Sequence, residues 1–189
     1  MIQEFFSTII DWYMAHVNYW TITLLMAIES SFIPFPSEVI IPPAAWKAAE
    51  GDLNLLLVVV FGTLGALIGA LFNYYFALYL GRAIVYRFAE SKVGRLMLLS
   101  REGVEKAEAY FVRHGRSSTL IGRLVPAVRQ LISLPAGLAR MNMKDFILFT
   151  AIGSATWNIV LAAMGYFLYT QKDLLHRYYT ELSWGMAAL

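Results

Sequence analysis

Four charged residues sit where charge is expensive. In a chain of 189 residues that is 59% hydrophobic and only 15% charged, Glu29 and Glu38 flank Pro34 and Pro36, and Arg123 and Arg129 flank Pro126 inside the stretch GRLVPAVRQLISLPAG. An ionised side chain at membrane depth costs enough that it marks function by default. The chemistry on offer is capture of an anion, because a guanidinium presents a planar fork of donors suited to phosphate. Glu29 and Glu38 would neutralise the arginines when the site is empty. Protonating one of them as the anion arrives would keep the charge balanced and would couple movement to a proton gradient. On an unbroken helix, residues six apart point roughly 240° apart and residues nine apart face opposite sides. A proline removes a backbone donor and clashes with the preceding turn, so Pro34, Pro36 and Pro126 let each pair turn into one interior space. Plainer readings compete: arginines snorkelling from a surface helix, Glu38 capping the helix that follows it, or all four forming a structural ion-pair network.

Other chemistries find little support. There is no cysteine, which removes disulfides, thiolates and cysteine-built metal sites. No Ser or His sits beside the arginine pair in a nucleophile-and-base arrangement, and no carboxylate cluster has metal spacing. His16 reads as a surface histidine and His114 as a solvated one. The expectation is therefore no metal, no cofactor and no enzyme, and a net charge of +2 gives no case for nucleic acid.

The elements that must position these residues belong to a membrane protein. Residues 53–81 and 146–171 carry no charge, and each exceeds the ~20 residues needed to cross as a helix. Segment 2–17 lacks the basic start and small-residue cleavage site of a signal peptide and is expected to lie at the interface. In the first unit, residues 18–81, two apolar arms (about Tyr19 to Ile33 and Val39 to Trp46) are too short to cross separately. A helical hairpin that dips in and returns to the same side is expected, its tip buried in protein. Gly62, Gly65 and Gly69 give the following span a bare face for a close neighbour, and Asn73 and Tyr74 are expected to reach the interior. Residues 82–116 form a basic amphipathic bridge, with Ser100 as a cap, on the cytoplasmic side. The second unit, 117–171, holds the Arg123/Arg129 hairpin, with Pro135 and Gly137 in its returning arm and Trp157 and Asn158 reaching inward from its span. The tail, 172–189, is amphipathic and too short to cross.

The two units repeat. Pro34 and Pro126 are 92 residues apart, as are Pro43 and Pro135, and in each half a broken hairpin precedes a long uncharged span. Each unit crosses an odd number of times, so the second must be inverted relative to the first, a recurring plan among transporters. The expected fold is an all-α membrane protein in a single domain, 1–189: an inverted repeat of a re-entrant helical hairpin plus a transmembrane helix, with interfacial amphipathic helices.

The combination of Glu29, Pro34, Pro36 and Glu38, Gly81-Arg82, Phe111-x3-Gly115, Gly122-Arg123-x2-Pro126-x2-Arg129, Ala136-Gly137 and Trp157 resembles the DedA family, related to SNARE-associated Golgi or VTT-domain lipid scramblases. It differs at the first motif, which ends Pro-Ser-Glu where many members have Pro-Gly-Asp. The resemblance covers about residues 20–170. It implies a multi-pass protein of the bacterial plasma membrane that moves an anionic lipid, undecaprenyl phosphate or a phospholipid, between leaflets, with a proton or sodium gradient as coupling partner. It carries the acidic pair onto Glu29 and Glu38 and the basic pair onto Arg123 and Arg129. An intramembrane lipid-phosphate enzyme and a proton-coupled small-cation or drug exchanger are the alternatives. The residues carry no signal of oligomeric state.

Overall fold

The computed structural model describes residues 13–31, 37–91 and 101–171. Most of segment 2–17, Pro34, Pro36, Ser100 and the tail 172–189 lie outside the described residues. Among these residues the regular elements are helices: α1 (Tyr19–Glu29), a 3₁₀ turn (Ser37–Val39), α2 (Ile41–Glu50), α3 (Leu55–Glu90), α4 (Arg101–Leu124), α5 (Pro126–Arg129), α6 (Ser133–Leu138) and α7 (Met143–Thr170).

Local chemistry sets the bounds. Asn18 opens α1 by accepting from the amides of Trp20 and Thr21, while the Thr21 hydroxyl accepts from the Asn18 amide, a reciprocal cap that satisfies donors with no helical partner. Pro42 and Pro43 occupy the first turn of α2, where a missing donor costs nothing. Gly51 ends α2 at φ 95°, a conformation open to glycine. Gly81 breaks α3 at φ 68° just past its apolar stretch.

Leu55–Tyr79 of α3 and Met143–Thr170 of α7, 25 and 28 residues, are long and apolar enough to cross a membrane. They run antiparallel, with Thr63 against Asn158 and Tyr74 against Phe146. Leu56, Leu64, Ile68 and Phe72 on α3, and Ile152, Ile159 and Phe167 on α7, turn outward and are exposed. An apolar outer surface of that extent belongs to a protein dissolved in lipid.

The short helices pack in an exchanged pattern. α1 lies on α3 and α4 on α7, each within its own half, whereas α2 crosses to α7 and α6 crosses to α3. A glycine admits each approach: Gly65 and Gly69 meet the α1 backbone at Thr23 and Ala27, Gly153 meets Arg123, Gly165 meets Pro42, and Gly137 meets Tyr74. Any Cβ at these positions would overlap its neighbour, so small residues are what let the backbones touch.

One expectation is corrected, and one of the plainer readings falls. The first arm does not run helically to Ile33: α1 ends at Glu29, because Ser30 and Ser31 turn the chain and the Ser31 hydroxyl takes the Ile28 carbonyl. Glu29 is thus the last helical residue, not an interior one. Glu38 does not cap α2; the cap residue is Ile40, with no side-chain cap bond. Within α4 the helix is interrupted at His114, where φ is −131° and ψ 22°.

Candidate substrate site

The turn around Pro126 decides where the arginines go. α4 stops at Leu124, Val125 is extended (φ −101°, ψ 114°), and Pro126 begins α5. Arg123 therefore closes one helix and Arg129 closes the next, and both are buried, 2% and 6% exposed. They line one cleft together with Glu29, Ser154, Trp157 and Asn158. Its water-accessible space is about 10 Å³, room for about one water molecule.

Arg129 is held by charge on one side and by a ring on the other. Its Nη2 lies 2.7 Å from Glu29 Oε1 and 3.7 Å from Glu38 Oε2. Its guanidinium carbon sits 5.4 Å from the centre of the Trp157 ring, within cation–π range. The short contact with Glu29 is an ion pair whose direction falls short of a hydrogen bond, so Glu29 Oε1 has no aligned donor. Glu29 Oε2 accepts from the Ser30 hydroxyl at 2.9 Å. The two acids are not equivalent: Glu29 is buried, whereas the Glu38 side chain is 43% exposed. Glu38 stands in the 3₁₀ turn, whose Ser37 lies 3.4 Å from the Trp157 indole nitrogen.

Arg123 differs. Its Nη2 donates to the Ser133 hydroxyl at 2.7 Å, and among the described residues no carboxylate is within ion-pair distance. Among the described residues the buried Nε donors of Arg123 and Arg129 have no acceptor. Among the described residues two buried guanidiniums thus share one buried carboxylate, and the cleft they line carries an excess of positive charge and of free donors. Such a place favours an anion.

A serine does lie beside the arginine pair: Ser133, whose partner there is the Arg123 guanidinium and not a base. It reaches Arg123 because the chain reverses through α5, a proximity that depends on the turn and not on spacing. A guanidinium only donates and cannot act as a base toward that hydroxyl.

The remaining candidates take other places. Asn73 is fully buried and donates its amide to the carbonyls of Ser30 and Gln130 at 3.1 and 3.2 Å, tying the ends of the two breaks together. The Tyr74 hydroxyl donates to the Met141 carbonyl at 2.6 Å. Asn158 lines the cleft and donates to Thr63 across the two spans. Pro135 lies within α6 and Gly137 packs that helix against α3. Among the described residues no group of His, Asp and Glu has the arrangement of a metal site.

Antiparallel apolar spans enclosing paired opposite charges define a membrane protein with an ionic interior site. The VTT domain family model matches residues 35–167. The chain is 32% identical over 152 residues to an "Alkaline phosphatase-like protein" of Lactococcus lactis subsp. cremoris, covering 80% of this chain and 71% of that one. It is 29% identical over 157 residues to "Undecaprenyl phosphate transporter A" of Staphylococcus aureus, covering 83% and 77%. It is 26% identical over 143 residues to "Protein DedA" of Escherichia coli K12, covering 76% and 63%. No solved structure matches. The chain belongs to the VTT-domain, or DedA, family of membrane proteins.

Proposed function

We propose that this protein is a transporter of the bacterial plasma membrane that moves an anionic lipid, undecaprenyl phosphate or a phospholipid, from one leaflet to the other. The observation that carries the reading is the surplus of buried guanidinium: Arg123 and Arg129 face one cleft with Glu29 as the buried counter-charge. A phosphate head is the anion that a pair of guanidinium forks suits, while its hydrocarbon tail stays in lipid. The name of the Staphylococcus relative supports the same substrate class. Glu29 and Glu38 then compete with phosphate for Arg129, and protonation of either favours the lipid, which links transfer to a proton gradient; sodium would act by the same competition.

Alternating exposure of that cleft follows if the two halves are inverted copies. Supporting this, α1 is 11 residues and α2 is 10, so neither exceeds about 17 Å at 1.5 Å per residue, short of the ~30 Å core. The exchanged packing of α2 and α6 onto the opposite half's span has the reciprocity of a two-fold arrangement. On this reading each pair of arms is a re-entrant hairpin, and the two meet at the cleft from opposite faces.

The test is reconstitution into proteoliposomes with fluorescent polyprenyl phosphate, reading its exposure in each leaflet. Wild type is expected to equilibrate the label, and Arg123→Ala and the pair Glu29→Met/Arg129→Met are expected to abolish transfer. Full transfer by the folded pair variant would overturn the site. Release of inorganic phosphate from the labelled lipid would instead favour the enzyme suggested by the name of the Lactococcus relative.

A further inference from the structure

One end of the molecule carries a second cationic feature that the central cleft does not use. Two adjoining grooves of about 520 and 490 Å³ share Val112, Ala139 and Arg140 as walls, each within the ~300–1,000 Å³ of small-molecule sites. The first is walled besides by the apolar side chains of Ala77, Leu78 and Leu138 and by Gly81 and Gly137. The second is bordered by Arg113, Arg116 and Arg140, with Asp145 as the one carboxylate among its described walls. Arg116 Nε donates to Asp145 at 2.9 Å, which leaves Arg113 and Arg140 as the cations with no carboxylate partner among the described residues. Ala77 and Leu78 lie at the end of the α3 apolar stretch, and Asp145 lies in the first turn of α7. The grooves therefore open where the spans leave the hydrocarbon.

Arg140 is the anomaly. Its φ of 51° is the one positive value among the described non-glycine residues. It follows the last turn of α6, with the Arg140 amide donating to Gly137 at 3.1 Å and the Met141 amide to Ala136 at 3.0 Å. That is the paired-bond helix ending in which glycine is the preferred residue. The turn is fixed from outside by the bond from the Tyr74 hydroxyl to Met141. A strained backbone held by its surroundings points to function, and what glycine would not supply here is the guanidinium.

We infer that the grooves dock an anionic lipid from the adjacent leaflet, its phosphate head between Arg113 and Arg140 and an acyl chain along Ala77, Leu78 and Leu138. Charge complementarity selects the head, and the apolar wall at the hydrocarbon boundary selects the tail. This site shares no lining residue with the central cleft. A lipid held here waits at the membrane surface instead of among buried charges.

The experiment measures equilibrium binding of dioctanoyl phosphatidic acid to the full chain in detergent, for wild type, Arg140→Gly and Arg113→Gln/Arg140→Gly. Dioctanoyl phosphatidylcholine and inorganic phosphate serve as competitors. Arg140→Gly suits the left-handed turn, so it removes the charge without disturbing the fold. It is expected to weaken phosphatidic acid binding about tenfold, the loss of one charge-assisted hydrogen bond, and the double variant further. Both competitors are expected to displace the probe weakly. Unchanged affinity in Arg140→Gly overturns the site, as does displacement by inorganic phosphate as effective as by the lipid itself. The difference between wild type and Arg140→Gly isolates this site from any phosphate bound at Arg129. Binding is read without transfer, so failure of the proposed transport leaves the result intact.

Discussion

At the scale of the residue, the pair Glu29–Arg129 is where structure and function are hardest to separate. Breaking a buried ion pair from one side leaves an uncompensated charge and costs about 3–5 kcal/mol, whereas replacing both partners by apolar side chains is often neutral or stabilising. Arg129→Ala is therefore expected to lower the unfolding midpoint sharply, since Glu29 is 2% exposed and cannot turn to water. Glu29→Met/Arg129→Met is expected to recover most of that loss when unfolding is followed in detergent. If the pair variant is as unstable as Arg129→Ala, the two residues do not act as a charge pair. The partial removal of Glu38 offers the contrast: its carboxylate is 43% exposed and 3.7 Å from Arg129, so Glu38→Gln is expected to change stability by less than about 1 kcal/mol. The same measurement on that variant checks it.

At the scale of the element, the breaks in the helices do the positioning, and they differ in how far the sequence announces them. Pro126 declares the end of α4 because a proline there cannot continue the ladder, and the helix does stop at Leu124. Gly65 and Gly69 likewise declare a bare face, and α1 occupies it. The break at His114 is silent in sequence, since a histidine carries no backbone restriction. The end of α1 at Glu29 depends on the Ser31 hydroxyl competing for the Ile28 carbonyl, a weak signal inside an apolar run. Ser133 is legible only as a polar residue and Asn73 only as one that faces inward, because their partners Arg123, Ser30 and Gln130 reach them through chain reversal. Asn73 shows what that costs to miss. One amide group joins the ends of both breaks, and replacing it with leucine leaves two interior carbonyls without that donor, at about 1–3 kcal/mol each. Asn73→Leu is expected to destabilise the fold by about that amount and to raise amide hydrogen exchange at Ser30, Ser31 and Gln130. Exchange unchanged at those residues would mean that the breaks are held by other contacts.

At the scale of the whole molecule, the antiparallel spans give the protein two chemically distinct ends. At one end Trp46 of α2 meets Tyr169 of α7 with ring centres 5.2 Å apart, and nearby Lys47 donates to Glu50 and Asp52 at 2.8 and 3.2 Å. Those two acceptors, Glu50 first, hold the Lys47 ammonium above its ordinary pKa, so its charge is matched by two carboxylates. At the other end Arg113, Arg116 and Arg140 surround a groove with Asp145 as the carboxylate among its described walls, and exposed Lys144 stands beside it. Basic ends of membrane proteins stay in the cytoplasm, so the proposed arrangement places Lys144 inside and Asp52 outside. The proposed inverted repeat calls for the same separation, because Asp52 precedes the first span and Lys144 precedes the second. The chain has no cysteine, so one introduced at either position is the only thiol to label. In intact spheroplasts, a membrane-impermeant maleimide is expected to modify Asp52→Cys and to spare Lys144→Cys until the membrane is permeabilised. Labelling of both from outside, or of neither, would be incompatible with two spans entered from opposite faces and would overturn the proposal that two hairpins meet at Arg129.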